Sequence, residues 1–174
     1  MSDFDGLRQN LSRMFGQVLS HVPALAQTWG RTFESVISEE VPFTRLQKPL
    51  REVRIALATT GGVHLRSQTP FDMADSRGDA TFRSIPSATP REDLMITHDY
   101  YDHTNADRDL NLLFPLEHLR DLVAAGHIGS LGTCYGFMGH IEPPHLEALI
   151  NETAPEAARL MREEGVDALL LTPG

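Results

Sequence analysis

The sequence predicts an α/β domain with a mostly parallel sheet and flanking helices, preceded by an N-terminal pair of helices. Three observations predict it. Short β-branched and apolar runs recur along the chain, and each breaks into glycine or polar residues. Stretches with apolar residues at helical spacing separate several of them. From residue 46 onward the order is strand, loop, strand, helix, strand, helix, strand, the alternation that a parallel sheet with crossover helices requires.

Taken in order, Leu7, Leu11, Met14, Phe15, Val18, Leu19 and Val22 follow helical spacing, with Ser2 or Asp3 as N-cap, and predict a helix near 3–21. Pro23 restarts the chain, and Leu25, Trp29, Phe33, Val36 and Ile37 predict a second helix ending near "SEEVP". Residues 1–45 form this helical segment, a possible contact for a homo-oligomer. "LREVRIALATTGG" is a buried strand running into a tight loop. "GVHLRSQTPFDMADSRGDA" reads as a long loop, and its Arg77-Gly78-Asp79 as a turn.

"TFRSIP" and "DLMITH" are two short strands, the second ending on His98. "FPLEHLRDLVAAGHIG" is a helix with Pro115 in its first turn and Gly126 at its stop. "SLGTCYGFMGH" is one strand breaking into a glycine-rich loop. "PPHLEALINETAPEAARLMREEG" holds one or two helices ending at Gly165, and "VDALLLTPG" is the last strand.

Composition narrows the function classes. The 174 residues suit one domain with a core, and 41% hydrophobic with 22% charged residues is a globular balance. No run approaches the roughly 18 apolar residues that span a bilayer, so membrane insertion is not expected. The opening "MSDFDGLRQN" carries acids where a secretory signal carries Lys or Arg, which points to the cytoplasm. A net charge of −9 opposes nucleic acid, leaving small molecules or proteins as partners. The single cysteine, Cys134, reads as a buried apolar residue and allows neither an intrachain disulfide nor a cysteine-based zinc cluster.

In parallel sheets ligands bind beyond the carboxyl ends of the strands. Four such ends carry polar or glycine-rich sequence: "TTGGVHLRSQ", "THDYYDHTNADRD", "YGFMGH" and "TPG". The densest is His98-Asp99-Tyr100-Tyr101-Asp102-His103, followed by Asn105, Asp107 and Asp109. Imidazole beside carboxylate suits proton transfer, substrate binding or metal ligation. A solvated acidic turn with local capping is the structural alternative. For a metal, no known ligand spacing is met, and only convergence of His64 and His140 from neighbouring strand ends would support one. Gly61-Gly62 could bring backbone amides to an anion beside Arg66, although the pair is neither G-x-G-x-x-G nor a P-loop. Ser67 and Ser130 lack a G-x-S-x-G elbow, and His118, His127 and His145 read as surface residues.

The stretches "GGVHLRSQTPFD", "FRSIP", "THDYYDHTNADRDLNLLFPLEHLRDLVAAGHIGSL" and "YGFMGHI", in this order, closely resemble the selenoprotein B subunits of glycine, sarcosine and betaine reductase and the related subunit of D-proline reductase. The resemblance runs from about Val53 to Gly174. It implies reductive C–N cleavage of small amino-acid-like or quaternary-ammonium substrates through a selenol/thiol motif, with a thiol or selenol redox carrier as partner protein. It further implies His98 and His64 as proton donors or substrate binders, and Asp99 and Asp102 as groups that orient them or hold the substrate ammonium. Gly61, Gly62, Asp107 and Asp109 are implied as substrate-binding positions; the strand-end clusters add Arg66, His103 and His140 to them, and no metal is assigned.

The resemblance implies a chain that continues past a strand like "VDALLLT" into selenocysteine (or cysteine)-x-x-cysteine, a motif found nowhere in this chain. The expectation is therefore a domain incomplete at its C-terminus, with no other cofactor in the chain and selenocysteine immediately after Gly174. Residues 46–174 would be the front half of the reductase-type domain, inactive alone, with apolar surface bare on its last strand. Two other readings stay open: a non-catalytic substrate-binding or assembly module, and a metal-dependent hydrolase or lyase using the His-Asp cluster.

Overall fold

The computed structural model describes residues 44–174, together with Met14, Val18, Val22, Ala24, Gln27 and Thr28. The expected N-terminal helical pair, and the homo-oligomer contact assigned to it, otherwise lie outside the described residues. The chain divides into two compact units, Met1–Gln47 with Asp99–Asp102, and Lys48–His98 with His103–Gly174. The architecture below is that of the second unit.

Its central strand is β1 (Arg54–Thr59), in which Ala56, Leu57 and Ala58 are almost fully buried. A strand covered on both faces needs this unbroken apolar run. Along one edge, β1 pairs in parallel with β7 (Ala168–Thr172), in register from Ile55 opposite Ala168 to Thr59 opposite Thr172. It also pairs in parallel with two short strands, β5 (Ser130–Leu131) at its start and β6 (Cys134–Gly136) at its end. The strand expected over "SLGTCYG" is thus two. Between them the Gly132 amide donates to the Ile55 carbonyl and the Thr133 amide to the Glu164 carboxylate, which interrupts the ladder.

The expectation of a mostly parallel sheet holds with two qualifications. β3 (Arg83–Ile85) lies antiparallel on β6. β4 (Leu94–Ile96) leaves this sheet altogether and pairs antiparallel with β2 (Val63–Leu65), a strand inside the stretch expected to be all loop. Three residues, "VHL", are too few to show the alternation that identifies a strand.

Four α-helices accompany the strands: α1 (Thr104–Arg108), α2 (Leu116–Ala124), α3 (His145–Ala148) and α4 (Ala154–Glu163), the last two joined by one π-helical stretch, Leu149–Thr153. Ala56, Ala58 and Tyr135 pack against Ala157 and Met161 of α4. By strand alternation Leu57 and Thr59 face the opposite side. Both long helices stop as read. At Gly126 and Gly165 φ is +73° and +76°, and the following amides, of His127 and Val166, return to Leu122 and Met161. A left-handed residue is what lets these bonds close the last turn.

Candidate functional site

The sheet order brings the carboxyl ends of β1, β6 and β7 to one edge. The Phe137 amide donates to the Thr59 carbonyl at 2.8 Å, the Thr60 amide to Thr172 at 3.1 Å, and the Gly62 amide back to Phe137 at 2.8 Å. Gly61 bridges to Met138, and the Gly174 amide donates to the Thr60 hydroxyl at 3.0 Å. Glycine is required here by space. A β-carbon on Gly174 would overlap the Gly61 backbone, and one on Gly62, whose φ is +73°, would overlap the Thr97 carbonyl. Backbone therefore meets backbone at this edge.

β4 delivers His98 to the same place from the other sheet. The Thr97 amide donates to the Gly62 carbonyl at 2.9 Å, which pins the end of β4 against the glycine loop. His98 is 4% exposed, and its Nε2 accepts the Gly139 amide at 3.3 Å. An Nε2 in that role is unprotonated, so His98 gives up the Gly139 contact if it takes a proton there.

His64 stands behind this edge. It is fully buried, with Nδ1 2.7 Å from the Leu65 carbonyl and Nε2 2.8 Å from the Thr97 hydroxyl. A carbonyl only accepts, so Nδ1 carries the hydrogen and Nε2 accepts from Thr97. Burial pushes the His64 pKa below its ordinary value against the opposing Leu65 bond, and the Arg83 and Arg66 charges act in the same direction as burial. Phe71 meets the ring edge to face. His64 is thus a neutral interior group that fixes the Thr97 hydroxyl one residue before His98.

The remaining positions read from the sequence have these partners. Arg66 is exposed and donates to the Glu92 carbonyl at 2.7 Å. The Gly61 and Gly62 amides, read as a possible anion cradle, donate to the Thr59 hydroxyl and the Phe137 carbonyl. His103 pairs with Asp107 at 2.8 Å across one turn of α1, and Asp109 caps the next turn by accepting the Asn111 amide. His140 lies 3.4 Å from Glu142. Asp99 is buried and Asp102 half-buried, both in the first unit.

Both ring nitrogens of His64, one half of the ligand pair read from the sequence, are taken up by the Leu65 carbonyl and the Thr97 hydroxyl. Among the described residues, no three His, Cys, Asp or Glu side chains are grouped as a metal would need. Cys134 is fully buried, and burial pushes its thiol up to about 11. Among the described residues, no helix is long and apolar enough to cross a membrane.

Thr60, Thr97 and Gly139 escaped the sequence reading as site residues. The signal available for the first two was a threonine at the end of an apolar run, a weak one because threonine is also an ordinary strand residue.

The chain matches the sequence model of a family described as glycine/sarcosine/betaine reductase selenoprotein B over residues 28–174. It is 38% identical over 133 residues to the D-proline reductase subunit gamma of Acetoanaerobium sticklandii, a match covering 76% of this chain and 53% of the relative. The chain thus spans about half the length of this curated relative. No solved structure matches. On the family match and the identity to that subunit, the chain belongs to the glycine/sarcosine/betaine reductase selenoprotein B family.

Proposed function

We propose that this chain is the substrate-facing scaffold of a selenoprotein B-type reductase that cleaves a C–N bond in small amino-acid-like or betaine-like molecules. The family match over residues 28–174 carries the reading. The geometry is compatible with it, since the carboxyl ends of three strands and His98 meet at one edge of the sheet.

The reaction needs a nucleophile, and Cys134 is unsuited to it. A thiol pushed up to about 11 holds almost no thiolate near neutrality, and its side chain is inaccessible. A selenol supplies a nucleophile that is ionised at neutral pH. In this reading it would follow Gly174 in a family-length polypeptide and would supply the nucleophile that displaces the amine, with a neighbouring cysteine thiol and the thiol carrier returning it to the reduced state.

His98 is the proton-transfer or substrate-binding group at this edge. His64 positions it through Thr97 and touches no substrate. Assignment of Asp99 and Asp102 to the substrate ammonium is carried by the family resemblance.

The test is amine release from glycine, sarcosine, betaine and D-proline by the family-length protein with its partner subunits and a dithiol. Turnover of one of them, reduced 100-fold or more by His98→Gln with an unchanged melting temperature, is expected. Absence of turnover with all four, or an unaffected His98→Gln protein, overturns the reading.

A second reading, a non-catalytic assembly module, is favoured by one observation: the single thiol of the chain is buried and un-ionised. The 174-residue chain alone is accordingly expected to bind substrate without turning it over.

A further inference from the structure

The side of β7 that faces away from β1 has no strand partner among the described residues. Its sequence, "ALLLT", holds neither a charge nor a proline, the two devices that usually protect a sheet edge. Asp167, just before it, is already paired with Lys48 at 2.8 Å. Leu169 and Leu171 lie opposite Ala56 and Ala58 and so project to the α4 side, where they are 42% and 68% exposed. Leu170 projects to the other side and is 39% exposed.

On the α4 side an apolar groove of about 370 Å³ runs between helix and sheet, lined among others by Ala58, Phe137, Leu149, Met161, Leu169 and Leu171. None of its lining side chains is charged, and Ala58, Ala154, Ala157 and Ala158 keep its walls shallow.

We propose that the free edge of β7 and this groove together dock one strand and one amphipathic helix, supplied by the portion of a family-length polypeptide that this chain does not match. An unpaired parallel edge accepts a strand, and the crossover helix of a parallel strand then lies on the sheet face beside it. The groove is on that face. Its uncharged lining selects an apolar helix stripe. The source follows from length: the match covers 53% of the relative, and the remainder far exceeds the roughly 30 residues of a strand–helix unit. A second copy of this chain is the poorer occupant, because two β7 edges joined about a two-fold axis would run antiparallel and bring a strand with no helix for the groove.

The proposal concerns assembly and requires no turnover, so its test is independent of the reductase reading. Overlapping peptides of about 35 residues, tiling the part of the Acetoanaerobium sticklandii subunit outside the match, are mixed with the 174-residue chain. Hydrogen exchange of the amides of residues 168–172 is followed, with the mass of the chain in solution. Binding of one contiguous stretch, with exchange slowed tenfold or more, is expected. Leu171→Asp should weaken that binding at least tenfold, and Leu122→Asp, on the exposed side of α2, should not. No binding by any peptide with unchanged exchange overturns the proposal. So does a dimer of the chain alone that protects the same amides, or binding indifferent to Leu171→Asp.

Discussion

Gly174 lies against Gly61, the Gly174 amide bonded to the Thr60 hydroxyl at 3.0 Å and its α-carbon so close that a β-carbon would overlap the Gly61 backbone. The first and last strands of the sheet are therefore locked at the edge where His98 arrives. The glycines at that edge are held by close packing, and their energetics can be read separately from those of ordinary turns.

Gly62 and Gly126 separate the two costs of replacing a glycine. Both have φ of +73°, but a β-carbon on Gly62 would strike the Thr97 carbonyl while one on Gly126 meets nothing within 4 Å. Gly126→Ala should cost about 1–2 kcal/mol, the penalty of the left-handed conformation alone. Gly62→Ala adds a backbone collision at the end of β4 and should cost about 1–2 kcal/mol more. Urea denaturation of the three proteins checks this, and equal losses would show that the glycine loop yields.

His64 gives stability a defined dependence on pH. Its folded pKa is below the ordinary 6.5 because it is buried, so below pH 6.5 the unfolded chain binds a proton that the folded chain refuses. The unfolded state then holds more protons, and stability falls as pH falls, by at most about 1.4 kcal/mol per pH unit for this group. The loss continues until the folded pKa is passed. The carboxylates of Glu164 and Asp167, also held below their ordinary values, act at lower pH, below about 4.5 and 3.8. Denaturation at pH 7.5, 6.0 and 5.0 should therefore show a slope in the parent protein that is shallower in His64→Gln. Parallel curves would mean that the imidazole charges in place.

Much of this fold was legible where the sequence repeats a pattern over enough residues. The helix α2, the buried β1 and the terminal β7 declare themselves through periodicity, an unbroken apolar run and glycine stops. The two-residue β5, the three-residue β2 and the transfer of β4 to a second sheet did not, because such short pairings are decided by tertiary partners such as Glu164. The candidate site divides in the same way. The strand-end rule pointed to His98 and the glycine pair, and the structure sets them close together through the Thr97 amide on Gly62. Asp107 pairs with His103 and Asp109 accepts the Asn111 amide, local bonds that composition alone does not reveal. His64 looks the same in sequence as an exposed catalytic imidazole, and only its burial distinguishes it.

Glu164 holds the break between β5 and β6. It caps α4, accepts the Thr133 amide at 2.9 Å, and takes the Arg54 guanidinium at 2.6 Å. Burial raises its carboxyl, but these bonds outweigh that and hold it below the ordinary value. Arg54 is more than a third exposed, so solvent screens the pair and the charge itself is worth little. Glu164→Gln keeps an acceptor for Thr133 and should cost about 0.5–1 kcal/mol. Glu164→Ala leaves that amide unsatisfied beside an Arg54 Nε that already lacks a partner, and should cost about 1–3 kcal/mol. A chemical-denaturation series orders the two.

Cys134 offers the most direct check on where redox chemistry can and cannot reside. It is the single cysteine in the chain, it pairs opposite Ile85 within the sheet, and no part of it is exposed. Burial is the largest cause of a thiol pushed up to about 11, so near pH 8 the thiolate fraction is about a thousandth. Thiol reagents need both the thiolate and a path to it. An aromatic disulfide reagent should therefore fail to label the folded chain at pH 8 on the timescale that labels a free thiol, and should label one equivalent once denaturant unfolds it. Cys134→Ala removes a buried sulfur without touching the edge at Gly61, His98 and Gly174. It should lower stability by about 1 kcal/mol and leave substrate binding intact. Rapid labelling of the folded chain would place a reactive thiol in the chain after all, and would remove the argument that its nucleophile must come from elsewhere.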